Sequence, residues 1–248
     1  MGWKIRLAVF VLSLLLPSAA PGIASDPGQQ VHQKKPIHKQ GSCRASRPEK
    51  TKWISLFDGK TLKGWKVTDF GGQGEVTVQK GQLILGMGAD LTGITWTQPE
   101  KLPKINYEVS LDAMRVDGTD FFCGLTFPVK DSPCTLIVGG WGGGLCGLSS
   151  LDGMDASENE TTTFEEFQNG RWYHIRLRVT EKRIQAWIDE KQIVDVDIID
   201  RKLSVRIEVE LSRPFGIATW QTTAALKNIR VRRLTDEEIA AMEKASSS

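Results

Sequence analysis

From Trp172 to Val179 the chain alternates without a break. Tyr173, Ile175, Leu177 and Val179 fall on one side, and Trp172, His174, Arg176 and Arg178 on the other. Period-two alternation predicts a strand with one buried face. Glu181-Lys182 then makes a two-residue turn, after which Ile184, Ala186 and Ile188 resume the apolar side. That register sets Arg176 opposite Trp187 and His174 opposite Asp189, pairs suited to a cation–π contact and an ion pair. Lys80-Gly81 repeats the device, pairing Val78 with Leu83 and Val76 with Leu85. A chain patterned this way folds as antiparallel sheet.

Further strands are predicted at 54–57, 94–97 and 105–116. The runs 121–127 and 134–139 are almost wholly apolar, as strands covered on both faces are. Leu203–Leu211 alternates again, predicting a strand with Leu203, Val205, Ile207, Val209 and Leu211 inward and Arg206, Glu208 and Glu210 outward. Gly216–Trp220 and Leu226–Val231 close the set. Thr235-Asp236-Glu237-Glu238 is a capping box opening a short helix, Asp236 to Lys244, with Ile239 and Met242 on one stripe. No βαβ alternation and no Gly-x-Gly-x-x-Gly after a strand occurs. The expected fold is all-β: a two-sheet antiparallel sandwich of about twelve strands with a short C-terminal helix.

Around that sandwich, expected to span residues 51–234, the termini read differently. Lys4 and Arg6 precede a ten-residue apolar run, Leu7 to Leu16, followed by small residues. This pattern predicts a signal peptide over 1–25 and an exported protein, periplasmic, cell-surface or secreted; a membrane anchor is the alternative reading. Residues 26–50 form a basic linker with almost no large apolar residues, holding His32, His38 and Cys43, and 235–248 are helix and tail. Cys123, Cys134 and Cys146 sit in apolar runs and read first as small buried residues, with a disulfide among them as the alternative. The 32 basic residues nearly balance 30 acidic ones, which argues against nucleic acid as partner. After signal cleavage no segment remains that could span a membrane as a helix.

Three constellations could carry chemistry. Trp141 stands among Gly139, Gly140, Gly142, Gly143 and Gly144. Glycines let another molecule approach the backbone, and a tryptophan there stacks on a sugar ring; folding back onto the core is the bland alternative. The loop that follows carries Asp152, Asp155, Glu158, Asn159 and Glu160. It suits sugar hydroxyls, a solvated polar surface, or calcium, although its spacing is not that of an EF-hand. No other cofactor is suggested. Glu208 and Glu210, two apart on the predicted strand, would lie ~6.5–7 Å apart at the backbone. Glycosidase carboxyl pairs span about 5–9.5 Å, so they form a candidate catalytic pair, or else a charged outer face. His174 reads as a charge-paired strand residue or, less simply, a general base.

The segment Ile54–Val67, ISLFDGKTLKGWKV, resembles the opening of the 3-keto-disaccharide hydrolase family, supported by 170–197 and 216–234. The resemblance implies an exported concanavalin A/laminin G-type sandwich acting on carbohydrate. It implies cleavage of a glycosidic bond beside a 3-oxo group, by an elimination in which the ketone acidifies the neighbouring C–H. Family polar signatures fall at Phe121–Pro128, Cys134–Gly139 and Ala218–Gln221, where this chain carries apolar residues, proline and tryptophan instead. The sequence predicts a ligand surface of Trp141, Asp152, Asp155, Glu158, Asn159, Glu160 and Trp220, with Glu208 and Glu210 as a reserve catalytic pair. A noncatalytic carbohydrate-binding or cell-surface adhesion module is the alternative, and a structural envelope protein a third.

Overall fold

The structure is a computed structural model and describes residues 51–244. The expected signal peptide and linker, with His32, His38 and Cys43, lie outside the described residues. Within them the chain forms β1 (Ile54–Ser55), β2 (Trp65–Val67), β3 (Val76–Gln79), β4 (Gln82–Leu85), β5 (Leu91–Trp96), β6 (Tyr107–Gly118) and β7 (Cys123–Val129). There follow β8 (Ser132–Gly140), β9 (Leu145–Ser149), β10 (Thr163–Phe164), β11 (Trp172–Val179), β12 (Arg183–Ile188) and β13 (Lys191–Asp197). β14 (Gly216–Trp220), β15 (Thr222–Arg233) and α1 (Asp236–Lys244) complete the chain. Eight strands make one antiparallel sheet, ordered β13-β12-β11-β6-β15-β4-β3 with β1 beside β15; seven make the other, β10-β9-β8-β7-β14-β5-β2. The fold is the expected sandwich. It has fifteen strands among the described residues rather than about twelve; β2, β10 and β13 are unanticipated, and 203–211 is not a strand.

The two turn-derived registers hold. Val78 pairs with Leu83 and Val76 with Leu85, and Arg176 pairs with Trp187, its guanidinium 4.7 Å from the ring centroid. His174 differs. Its ring Nδ1 lies 2.7 Å from Asp112 on β6, while Asp189 accepts the His174 backbone N–H and pairs with Arg171. A central strand has two neighbours, and the turn count saw only one. In a salt link between strands, His174 is a structural residue rather than a base.

The inward faces interlock into one core: Leu83, Leu85, Val109 and Leu111 of the eight-stranded sheet meet Leu125, Phe127, Leu136 and Leu148 of the other. Tyr107 is buried there with its hydroxyl donating to Pro128 O at 2.6 Å. Cys123, Cys134 and Cys146 point into the same core as free thiols, correcting the disulfide alternative. Burial pushes each thiol up to about 12, so none is a reactive thiolate at neutral pH. α1 has the expected cap, with the Glu238 N–H donating to Thr235 Oγ1 and the Thr235 N–H to Glu238 Oε2, and it buries Met242.

The seven-stranded sheet is covered on its outer face too, which is why β7 is buried throughout. Leu91, Phe121, Ile137, Leu145 and Ala218 form a second apolar cluster there, closed by Val209. The predicted strand over 203–211 is the cover. Leu203 makes one bridge to Leu151, and Ile207–Ser212 then winds as a 3-10 helix burying Val209 and Ser212. Spacing of three is the period of that helix. Ile207 is 87% exposed and Leu211 56%, so the expected inward set and the single-face placement of Glu208 and Glu210 are both wrong. Alternation misled because the polar residues are set by side-chain pairing, not by a sheet face: Arg206 clasps Glu208, and Glu210 pairs with Arg213.

Candidate functional site

The hairpin between β8 and β9 turns at Trp141, whose own φ is +49°, followed by Gly142 and Gly143 at +87° and +112°. Gly143 cannot be replaced freely: a Cβ there would stand 2.8 Å from the Arg115 guanidinium and 2.9 Å from Thr119 O. Asp120 braces the same turn. Its Oδ2 accepts the Gly142 N–H at 3.1 Å and its Oδ1 the Phe121 N–H at 2.7 Å. The turn holds Trp141 45% exposed, beside the 3-10 segment.

Between turn and segment lies a cavity of about 220 Å³. Trp141, Trp220 and Phe121 give it aromatic surfaces, Leu91, Ile137 and Val209 an apolar lining, and Asp120, Arg206, Glu208, Thr135 and Ser149 its polar groups. Aromatic walls with a few converging polar groups are the usual composition of a small-molecule site. Arg206 organises the charge. It donates to both Glu208 oxygens at 3.2 and 2.8 Å and to Asp155 Oδ2 at 2.5 Å, with its guanidinium 5.8 Å from the Trp141 centroid. Those bonds from Arg206 hold the Glu208 carboxyl below its ordinary value, and Glu208 in turn raises Arg206. Glu208 is therefore an ionised, clamped carboxylate rather than a proton donor.

The predicted site residues divide. Trp141, Trp220 and Glu208 line the cavity, and Asp155 reaches it through Arg206. Asp152 and Glu160 do not: both pair with Arg201 away from it. Glu158 is exposed outside it. Asn159 is buried and structural, its Nδ2 donating to the carbonyls of Leu148, Met154 and Asp155 while its Oδ1 accepts from Thr161. That commitment also leaves the Asn159-Glu160-Thr161 sequon no free amide in the folded state. Glu210 turns to Arg213 and is absent from the cavity lining. Asp152 and Glu160 are held by Arg201 and Asp155 by Arg206, so these carboxylates do not converge as calcium ligands do. Among the described residues no three His, Cys, Asp or Glu side chains are grouped to hold a metal ion. Sequence reasoning missed Asp120, Thr135 and Ser149. None carries a local motif; the sheet register alone assembles them.

Each of the three segments where the family carries polar signatures sends at least one residue to this cavity, while many of their other residues face the core. Phe121 belongs to the first, Thr135 and Ile137 to the second, Trp220 to the third, and all four line it. Residues 52–232 match the 3-keto-alpha-glucoside-1,2-lyase-like domain. The chain belongs to this family.

Solved structures agree on the sandwich. A protein of unknown function with a galectin-like fold from Bacillus subtilis superposes with a TM-score of 0.51 at 12% identity, over 75% of this chain and 97% of that one. A sialidase gives 0.50 at 11%, over 74% of this chain and 18% of its own. Crh5 transglycosylase in complex with NAG gives 0.49 at 12%, over 75% and 85%. At these identities the likeness is one of fold. No curated protein sequence matches the chain.

Proposed function

We propose that the cavity receives one ring of a 3-keto-glucoside and that the protein cleaves the adjoining glycosidic bond by elimination. The observation that carries this is a cavity walled by Trp141 and Trp220, bordered by Asp120, Glu208 and Arg206, and reached by residues of all three segments where the family carries its polar signatures. The volume suits a single ring better than an extended chain, since sites for larger ligands run to about 300–1,000 Å³. Elimination asks less of the site than hydrolysis. Hydrolysis needs a protonated acid beside an ionised partner, and Glu208 is clamped in its ionised form. Elimination needs one base and stabilisation of charge on the keto oxygen.

Asp120, fixed by two backbone N–H groups, is the base. It takes the proton from C2; the C–H electron pair becomes a C1=C2 double bond and the C1–O pair leaves with the second sugar, whose oxygen is reprotonated. Arg206 places its positive charge beside the developing enolate. Residues 1–25 would export the protein, as their charged and apolar runs indicate.

A second reading is favoured by one specific observation: the signature positions carry Phe121, Ile137 and Trp220 rather than acids, base or histidine. It makes the protein a noncatalytic sugar binder. Incubation of the pure full chain with a 3-keto-disaccharide and with its unoxidised counterpart separates the two. Release from the keto sugar alone, reduced about a hundredfold or more in Asp120→Asn, is the expected result. Saturable binding without release would sink the lyase reading and leave the binder.

A further inference from the structure

We infer that Ser149 is the specificity-determining contact of the cavity: its hydroxyl bonds an oxygen substituent of an uncharged sugar at the buried end. The inference rests on the cavity's being a sugar site and names which sugars it takes. Ser149 ends β9, lines the cavity and is 1% exposed, and its Oγ finds no hydrogen-bond partner among the described residues. A buried hydroxyl without a partner is costly, and such exceptions call for an explanation.

The neighbours sharpen the point. Thr126, Thr135 and Ser149 stand in register across β7, β8 and β9. Thr126 and Thr135 bond each other at 2.9 Å, and both are fully buried. The row thus satisfies its first two members and leaves the third, the one at the edge of the cavity beside Thr135, with its bonding capacity unused. Exposed Trp141 marks the mouth and buried Ser149 the floor. An oxygen of a bound ring that reaches the floor meets a hydroxyl able to donate to a ketone or exchange bonds with an alcohol.

Charge narrows the class. Two carboxylates, Asp120 and Glu208, border the cavity against one guanidinium, and Arg206 is already shared with a third carboxylate, Asp155. A permanently anionic sugar would face these carboxylates and would have to displace Glu208 or Asp155 to bond Arg206 directly. Neutral hexosides fit; uronates do not.

The test is calorimetric titration of the full chain with methyl α-glucopyranoside, its 3-keto derivative and methyl α-glucuronide, in wild type, Ser149→Ala and Trp141→Ala. Ser149→Ala should weaken the better-binding neutral sugar about fivefold to tenfold while leaving Tm unchanged or raised, because no bond within the free protein is lost. A hydroxyl with a merely structural role would lower Tm and spare affinity. Wild-type affinity in Ser149→Ala, with binding abolished in Trp141→Ala, overturns this inference and keeps the pocket. Wild-type affinity in Trp141→Ala, or no binding of any sugar by wild type, overturns the pocket and the inference with it. Glucuronide binding as tight as glucoside refutes the restriction to neutral sugars.

Discussion

Arg206 shows how a single side chain converts a polar surface into a site. It holds Glu208 and Asp155 together beside Trp141, and the consequence for Glu208 is measurable. Its folded carboxyl lies below the ordinary 4.5 because Arg206 bonds the ionised form. As pH falls through 4.5 the unfolded chain protonates first, so the stability from this pair is complete above that value and lost as pH drops through the folded one. With both side chains some two-fifths exposed, the pair is screened and contributes about 1 kcal/mol or less. Thermal melts should therefore place Glu208→Gln slightly below wild type at pH 7, with the gap closing as pH falls below 4.5; a gap constant in pH would contradict the pairing. Trp141 was legible as a surface residue because it stands among turn glycines, and it lines the cavity. Asp120 was not, since its partner Gly142 lies 22 residues away.

At the scale of elements, what could be read followed turn length. Two-residue turns fix register by counting, so the β3–β4 and β11–β12 pairings came out residue for residue. Leu203–Leu211 failed because period-two alternation is only a face argument, and this segment lies across a sheet face instead of joining a sheet. Its 3-10 geometry makes a prediction the strand reading would not. Val209→Ala, which empties a buried site in the outer cluster, should cost about 1–2 kcal/mol in urea unfolding. Ile207→Ser and Leu211→Ser, at exposed positions, should change stability by about 0.5 kcal/mol or less. Equal, large losses at all three would restore the strand.

Outside the core, Trp53, Trp141, Trp187 and Trp220 lie on the two outer surfaces of the sandwich. On the eight-stranded sheet they are packed under arginines: Trp187 under Arg176 and Arg178, and Trp53 under Arg230 and Arg232. Those arginines surround Glu108, 2% exposed, which pairs with Arg176, Arg178 and Arg232. This is a structural lattice. Glu108→Ala should destabilise the fold by about 3 kcal/mol, the scale for a broken buried pair, without altering sugar affinity at the other sheet. On the seven-stranded sheet Trp141 and Trp220 instead border open space. We propose carbohydrate handling at this second surface. A crystal structure of the full chain with a bound 3-keto-glucoside is the direct test. The sugar ring is expected against Trp141 and Trp220, with an oxygen within hydrogen-bonding distance of Ser149. A ring seated on the Trp53 or Trp187 surface, with the Trp141 cavity empty, would contradict it.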